Sequence, residues 1–190
     1  MSPRVDAIVV GGSAGALEAL MLALPVLPAE LRVPIALVLH VPPMRRSLLV
    51  EVLGARCAIP VSEVDDKQPF ERGLYIAPAN YHLLVERTRT FALSVDPPVR
   101  FSRPSIDVLF ESAADAYGDR LAAVLLSGAN DDGVAGLVRI REAGGIIAVQ
   151  DPRTASSPEM PEAALRLGLT ELVLAPAAVG TFIVELGGSA

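Results

Sequence analysis

The chain has 190 residues, a formal net charge of −6, no basic cluster longer than Arg45-Arg46 and a lone cysteine, Cys57. This excludes a phosphate-backbone-binding surface, which needs concentrated Lys and Arg, and it excludes an internal disulfide or a cysteine-built metal site. A chain of this length buries roughly 70% of the surface its unfolded form exposes, which suits one domain over residues 1–190. Met1 to Asp6 carries no signal-peptide pattern. The apolar stretch from Leu17 to Leu27 is too short to span a bilayer and is interrupted by Pro25. The expectation is a cytoplasmic protein with no membrane insertion and no nucleic-acid partner.

In chain order, Ala7–Val10 reads as a strand running into Gly11-Gly12, followed by a helix over Ala14–Leu24. Ile35–His40 is a second strand, ended by Pro42-Pro43, with a helix from Ser47 to Ala55. Leu74–Ala77 is a short strand. His82–Glu86 and Thr90–Val95, separated by Arg87-Thr88-Arg89, form a β-hairpin. Ser105–Tyr117 has helical spacing, with Ser105 as a good N-cap ahead of Ile106, Leu109 and Phe110. Leu121–Leu126 is a strongly apolar strand, Gly133–Ala143 a helix and Ile146–Val149 a strand. A short helix at Pro161–Leu167, a strand at Glu171–Leu174 and a C-terminal helix complete the chain. Apolar strands alternating with helices predict a doubly wound, mostly parallel α/β sheet flanked by helices, a three-layer α/β/α arrangement with a small hairpin insertion.

In such sheets, sites form where strands end and helix N-termini converge. Three strand ends carry reactive residues: Gly11-Gly12-Ser13-Ala14-Gly15, His40, and Asn130-Asp131-Asp132-Gly133. A serine hydroxyl becomes a useful nucleophile when a base accepts its proton, and the imidazole needs a carboxylate to fix its tautomer. Ser13 lies in a Gly-x-Ser-x-Gly turn, where small neighbours let the backbone turn sharply and expose the hydroxyl. The helix that follows directs free N–H groups at the same place, suited to an oxyanion. Only His40 and His82 can serve as base; His82 opens the hairpin, away from the strand ends, and reads as structural or peripheral. Asp131 and Asp132 compete for the third role, in a turn whose composition also suits mere turn geometry. The chain order Ser, His, Asp differs from that of the α/β-hydrolases.

Taken together, five ordered blocks resemble the catalytic domain of the CheB-type protein-glutamate methylesterases of bacterial chemotaxis. They are Ile8-Val9-Val10-Gly11-Gly12-Ser13-Ala14-Gly15, His40-Val41-Pro42-Pro43, Tyr75-Ile76-Ala77-Pro78 with His82, Arg103-Pro104-Ser105-Ile106-Asp107-Val108-Leu109-Phe110, and Leu126-Ser127-Gly128-Ala129-Asn130-Asp131-Asp132-Gly133-Val134-Ala135-Gly136. The resemblance implies Ser13 as nucleophile, His40 as general base and acid, and Asp132 as orienter, with Asp131 as a second carboxylate where the family usually has asparagine. It also implies an oxyanion hole from the backbone N–H groups of Ala14 and Ala129, and no cofactor or metal. The implied substrate is a methylated glutamate on the cytoplasmic helices of a chemoreceptor, with glutamine deamidation open to the same chemistry. Arg45, Arg46 and Arg103 are candidate contacts for an acidic receptor surface.

The chain departs from the family at Gly15-Ala16, where two glycines are common, at Ala14, where threonine often stands, and at Ala129, where methionine is often seen. Regulated family members also carry an N-terminal receiver domain, whereas this sequence starts at the first strand of the hydrolase. Two other readings follow from the same residues: a divergent homologue acting on another ester or serving as a signalling or binding module, and a nucleotide-binding Rossmann-like module. Against the second, serine and alanine stand where the dinucleotide fingerprint wants its later glycines.

Overall fold

The computed structural model describes residues 5–40 and 48–188. Arg45, Arg46, the Pro42-Pro43 stop and the first residue of the helix expected at Ser47 lie outside the described residues. The elements are β1 (Ala7–Gly12), α1 (Ala16–Ala23), β2 (Ile35–Leu39), α2 (Leu49–Gly54), β3 (Val61–Glu63), β4 (Leu74–Ile76), β5 (His82–Val85), β6 (Phe91–Ser94), α3 (Ile106–Tyr117), β7 (Leu121–Leu125), α4 (Val134–Glu142), β8 (Ile146–Gln150), α5 (Glu159–Arg166), β9 (Val173–Leu174) and α6 (Pro176–Gly187).

Among the described residues, seven strands form one parallel sheet in the order β3-β4-β2-β1-β7-β8-β9. The central strands β1, β2 and β7 are buried along their whole length, which is why they read as unbroken apolar runs. Their side chains alternate between two cores. Ala7 and Val9 face a layer containing Ile106, Phe110, Leu137 and Ile140 of α3 and α4. Ile8 and Val10 face Leu20 of α1, Leu53 of α2 and Ile183 of α6. The result is the three-layer α/β/α arrangement expected from the sequence.

The expected hairpin is a separate antiparallel pair, β5 with β6, in which His82 lies opposite Ser94 and Val85 opposite Phe91. It rests on α3, whose Ser112 hydroxyl accepts a hydrogen bond from the Val85 N–H at 3.1 Å. Strand β3 carries no sequence signal strong enough to find. It is a three-residue edge strand, half-exposed to exposed, and reads as a polar Val-Ser-Glu run.

Several boundaries shift by a residue or more, the helix expected at Pro161–Leu167 starting at Glu159 among them. Helix α1 begins at Ala16 rather than Ala14, because Gly15 takes a left-handed conformation at φ 83° and ends the turn first. The last strand shortens to Val173–Leu174.

The path of the chain fixes where a site can form. From β1 the chain moves to β2, runs out to the edge strand β3 and fills the gap with β4, then crosses to the other side of β1 as β7. The carboxyl ends of β2, β1 and β7 are therefore neighbours at the point where strand order reverses, the position at which open α/β sheets place their ligands.

Candidate active site

Strand β1 ends at Gly12, and the chain then turns tightly into α1. The Ser13 N–H donates to the Ser127 carbonyl at 2.8 Å, and the Ser13 carbonyl accepts from the Ala16 N–H at 3.0 Å. Ser13 is half-buried and Ala14 exposed, so the serine stands at the mouth of the sheet. The glycines before it are spoken for by packing. A methyl on Gly11 would fall 2.3 Å from an Ile106 methyl, and one on Gly12 would fall 2.4 Å from the Ala16 Cβ. Their missing side chains admit neighbouring helices, whereas the dinucleotide fingerprint uses a glycine to admit a pyrophosphate.

The parallel register pairs Gly12 with Leu39, so Ser13 and His40 leave adjacent strands side by side. The His40 N–H is tied to the Gly12 carbonyl at 3.1 Å. Its imidazole Nε2 lies 2.8 Å from Asp132 Oδ2, with the His40 side chain 13% exposed and Asp132 fully buried. A carboxylate only accepts hydrogen bonds, so Nε2 carries a proton, and in the neutral ring the lone pair is on Nδ1. On that side Nδ1 lies 3.5 Å from the Ser102 hydroxyl. No hydrogen bond joins the Ser13 hydroxyl to His40. Catalytic contacts of this kind commonly tighten only when substrate binds.

Asp132 is held by more than His40. Its Oδ1 accepts from the Ser105 hydroxyl at 2.8 Å and from the Asp107 N–H at 3.0 Å, and its Oδ2 from the Ile106 N–H at 2.8 Å. Burial pushes the carboxyl up, but the hydrogen bonds from His40, Ile106, Asp107 and Ser105 outweigh it and hold Asp132 below the ordinary carboxylate range. Ser105 occupies the expected N-cap position in extended conformation, yet its hydroxyl caps nothing. Asp132, 26 residues beyond Ile106, supplies the cap instead. One carboxylate thus closes the N-terminus of α3 and orients the histidine.

The adjacent aspartate turns outward. Asp131 is exposed, and its partner is Arg100, whose guanidinium lies 2.7 Å from Asp131 Oδ1 and 3.0 Å from the buried Asp107. Burial and the nearby Asp132 charge push the Asp107 carboxyl up, against the opposing pull of the Gly136 N–H and Arg100. Of the two aspartates the sequence leaves in competition, Asp132 alone meets His40.

The backbone flanking Ser13 comes from two turns. A Cβ on Gly128 would lie 3.1 Å from the Ser13 Cβ, so the Gly128-Ala129 segment passes directly beside the serine. Ala14 and Ala129 are both exposed, and among the described residues their N–H groups donate to no protein acceptor. Behind them sits Ser127, fully buried. Its hydroxyl donates to the Ala14 carbonyl at 2.7 Å and accepts from the Ser157 N–H at 3.0 Å, while its own N–H is held by Gln150 at 3.0 Å. Ser127 couples the turn after β7 to the turn after β1.

A cavity of about 180 Å³ opens on the His40 side, lined by His40, Asn80, Pro98, Phe101, Ser102 and Arg103 among others; Ser13 is not in its lining. Arg103 is not free to receive an acidic partner here. Its guanidinium donates to the Asn80 side chain at 2.7 and 3.1 Å and to the Val95 and Asp96 carbonyls at 2.7 and 3.0 Å. His82 is buried and structural: its Nδ1 accepts from the Ser105 N–H at 3.2 Å and its Nε2 donates to the Pro97 carbonyl at 3.1 Å. Among the described residues, no group of three or more His, Cys, Asp or Glu side chains is arranged to hold a metal ion.

Sequence reasoning finds Ser13, His40 and the aspartate pair because each interrupts an apolar strand end. It misses the bracing role of Ser127 and Ser105, the Arg100 bridge and the position of Ser102. Ser127 and Ser105 stand in the quoted blocks, but a buried serine shows nothing in sequence of the partner it will find.

The family model for the CheB methylesterase matches residues 8–183. A Leptospira interrogans relative, provisionally given the name protein-glutamate methylesterase/protein-glutamine glutaminase, is 41% identical over 182 residues, covering 95% of this chain and 94% of its own. The Trichodesmium erythraeum protein of the same name is 36% identical over 176 residues, and there the match spans 90% of this chain and 50% of the relative. The crystal structure of the Thermotoga maritima CheB methylesterase catalytic domain superposes with a TM-score of 0.92 at 28% identity, covering 96% of this chain and 99% of that one. With the family model spanning nearly its whole length and the same fold underneath, this chain belongs to the CheB methylesterase family.

Proposed function

We propose that the chain is a single-domain serine hydrolase that demethylates glutamyl methyl esters on the cytoplasmic helices of a chemoreceptor-like protein. The observation that carries the reading is the 2.8 Å contact between His40 Nε2 and the buried Asp132, at a strand-end cluster that also holds Ser13. The names of the relatives point to the same ester and to glutamine deamidation.

In this mechanism the Ser13 Oγ attacks the ester carbonyl while His40 Nδ1 takes its proton. Asp132 stabilises the imidazolium through Nε2–H, and the Ala14 and Ala129 N–H groups receive the oxyanion. Collapse breaks the bond to the methoxy oxygen, which leaves as methanol with the proton from His40. Water, deprotonated by His40, then attacks the acyl-enzyme and releases glutamate with Ser13 regenerated. With glutamine the same steps release ammonia.

The test is methanol release from membranes bearing methylated receptors, comparing the native chain with Ser13→Ala and His40→Ala, alongside fluorophosphonate labelling. The expected result is methanol release by the native chain, loss of about 10⁴-fold or more in either variant, and labelling that Ser13→Ala abolishes. A native chain that is labelled but releases no methanol would move the reading to another ester. One that is neither labelled nor active would make it a binding module.

A further inference from the structure

The lip of the cavity beside His40 is an unusual piece of backbone. Val99 and Ser102 exchange both of their N–H···O bonds, at 3.1 and 2.8 Å, closing a two-residue turn at Arg100 and Phe101. Both residues take positive φ, 47° and 63°, the left-handed region normally reserved for Gly, Asn or Asp in such turns. Neither residue here has that freedom, so the conformation is held from outside. Arg100 is tied to Asp107 and Asp131 on one side, and Arg103 to Asn80, Val95 and Asp96 on the other. The product of this bracing is Phe101, fully exposed at the tip and lining the same cavity as His40.

We infer that Phe101 is a substrate-docking residue, packing against aliphatic side chains of the helical protein segment that presents the ester. The inference rests on the methylesterase reading and names what that reading leaves open, the contact that selects a protein over a small ester. A glutamyl ester that reaches Ser13 from a helix brings its neighbours three and four residues away onto the same face, and Phe101, exposed beside the His40 cavity, offers them an apolar contact. A phenylalanine has few rotamers to lose, and the turn beneath it is already ordered, so docking freezes little further motion. His40 and Ser102 supply polar groups to the same lining.

The experiment compares kcat/KM for a methylated cytoplasmic helical fragment of a bacterial chemoreceptor with kcat/KM for p-nitrophenyl acetate, in the native chain, Phe101→Ala and Phe101→Leu. For Phe101→Ala the ratio of protein to small-ester efficiency is expected to fall about tenfold or more, chiefly through KM, as for an apolar anchor at an interface. Phe101→Leu restores most of it. A ratio unchanged in Phe101→Ala, or one lowered equally in Phe101→Leu, overturns the inference while the methylesterase reading stands. A native chain that cleaves p-nitrophenyl acetate but leaves the methylated fragment untouched overturns both.

Discussion

Replacing Asp132 by alanine tests the two duties assigned to one carboxylate. The change removes the acceptor for four donors at once: the Ser105 hydroxyl, the Ile106 and Asp107 N–H groups and His40 Nε2. Loss of a helix cap costs about 0.5–2 kcal/mol, and each buried donor left unpaired about 1–3 kcal/mol. Water entering the vacated space offsets part of this, and a net loss of roughly 2–5 kcal/mol is expected. For a domain of this size that lowers Tm by roughly 5–15 °C.

Activity falls further than stability explains. Without the carboxylate the imidazole loses its fixed tautomer and the partner for its charge, and kcat drops about 10⁴-fold. Asp132→Asn separates the two effects. An amide has one acceptor oxygen, so whichever way it turns, one α3 N–H loses its partner while the rest of the cap survives. Its Tm loss is therefore smaller than that of alanine, yet the charge facing His40 is gone in either orientation and kcat remains at least about 10²-fold down. Asp131→Ala is the control. It breaks one exposed pair with Arg100, worth no more than about 1 kcal/mol, and its kcat stays within a few-fold of native. Methanol release and thermal melts on the three variants supply the data. Asp132→Ala with more than a tenth of native kcat, or Asp131→Ala as the more damaging change, would refute the reasoning.

The remaining predictions concern the bracing and the titration of the site. Ser127→Ala leaves the Ala14 carbonyl and the Ser157 N–H without their buried partner, so stability falls by about 1–3 kcal/mol. With the turn around Ser13 loosened, hydrolysis of p-nitrophenyl acetate slows roughly tenfold or more; an unchanged melt and rate would show that Ser127 braces nothing.

Asp132 is held below its ordinary value of 3.8 in the folded chain. Its stabilising contribution is therefore complete above that value and is lost as pH falls through the lower folded value. Asp107 is shifted the opposite way, so its contribution is present below 3.8 and lost as pH rises through its raised folded value. Denaturant melts from about pH 5 to about pH 2 should show native stability declining below pH 3.8 more steeply than that of Asp132→Asn. Parallel curves for the two proteins would contradict the assignment.

Much of this architecture is written in the sequence by itself. Strands buried on both faces must be apolar throughout, so β1, β2 and β7 announce themselves, and the alternation with helical stretches dictates a parallel sheet. For the same reason Ser13, His40 and the aspartate pair stand out: a polar residue at the end of such a strand has left the core and sits where sites form. The edge strand β3 had no such signature, because a half-exposed strand of three residues needs no apolar run.

Tertiary structure decided which groups meet. Asp131 and Asp132 are indistinguishable in composition and differ by one position, yet successive residues of a turn point in different directions. One reaches solvent and Arg100 while the other enters the core to His40. The cap of α3 also lay beyond local reading. Ser105 fits the capping position, but Asp132 arrives from the turn after β7 with a charge, and a charged acceptor binds N–H groups more strongly than a hydroxyl does. The Arg100-Phe101 turn is the clearest case. Its residues carry no preference for positive φ, and their conformation is held by the carboxylates that bind Arg100 within the turn and the carbonyls that bind Arg103 just after it. Patterns of burial are local and periodic, and a sequence records them; hydrogen-bond partners across 20 or more residues are set only when the chain has folded.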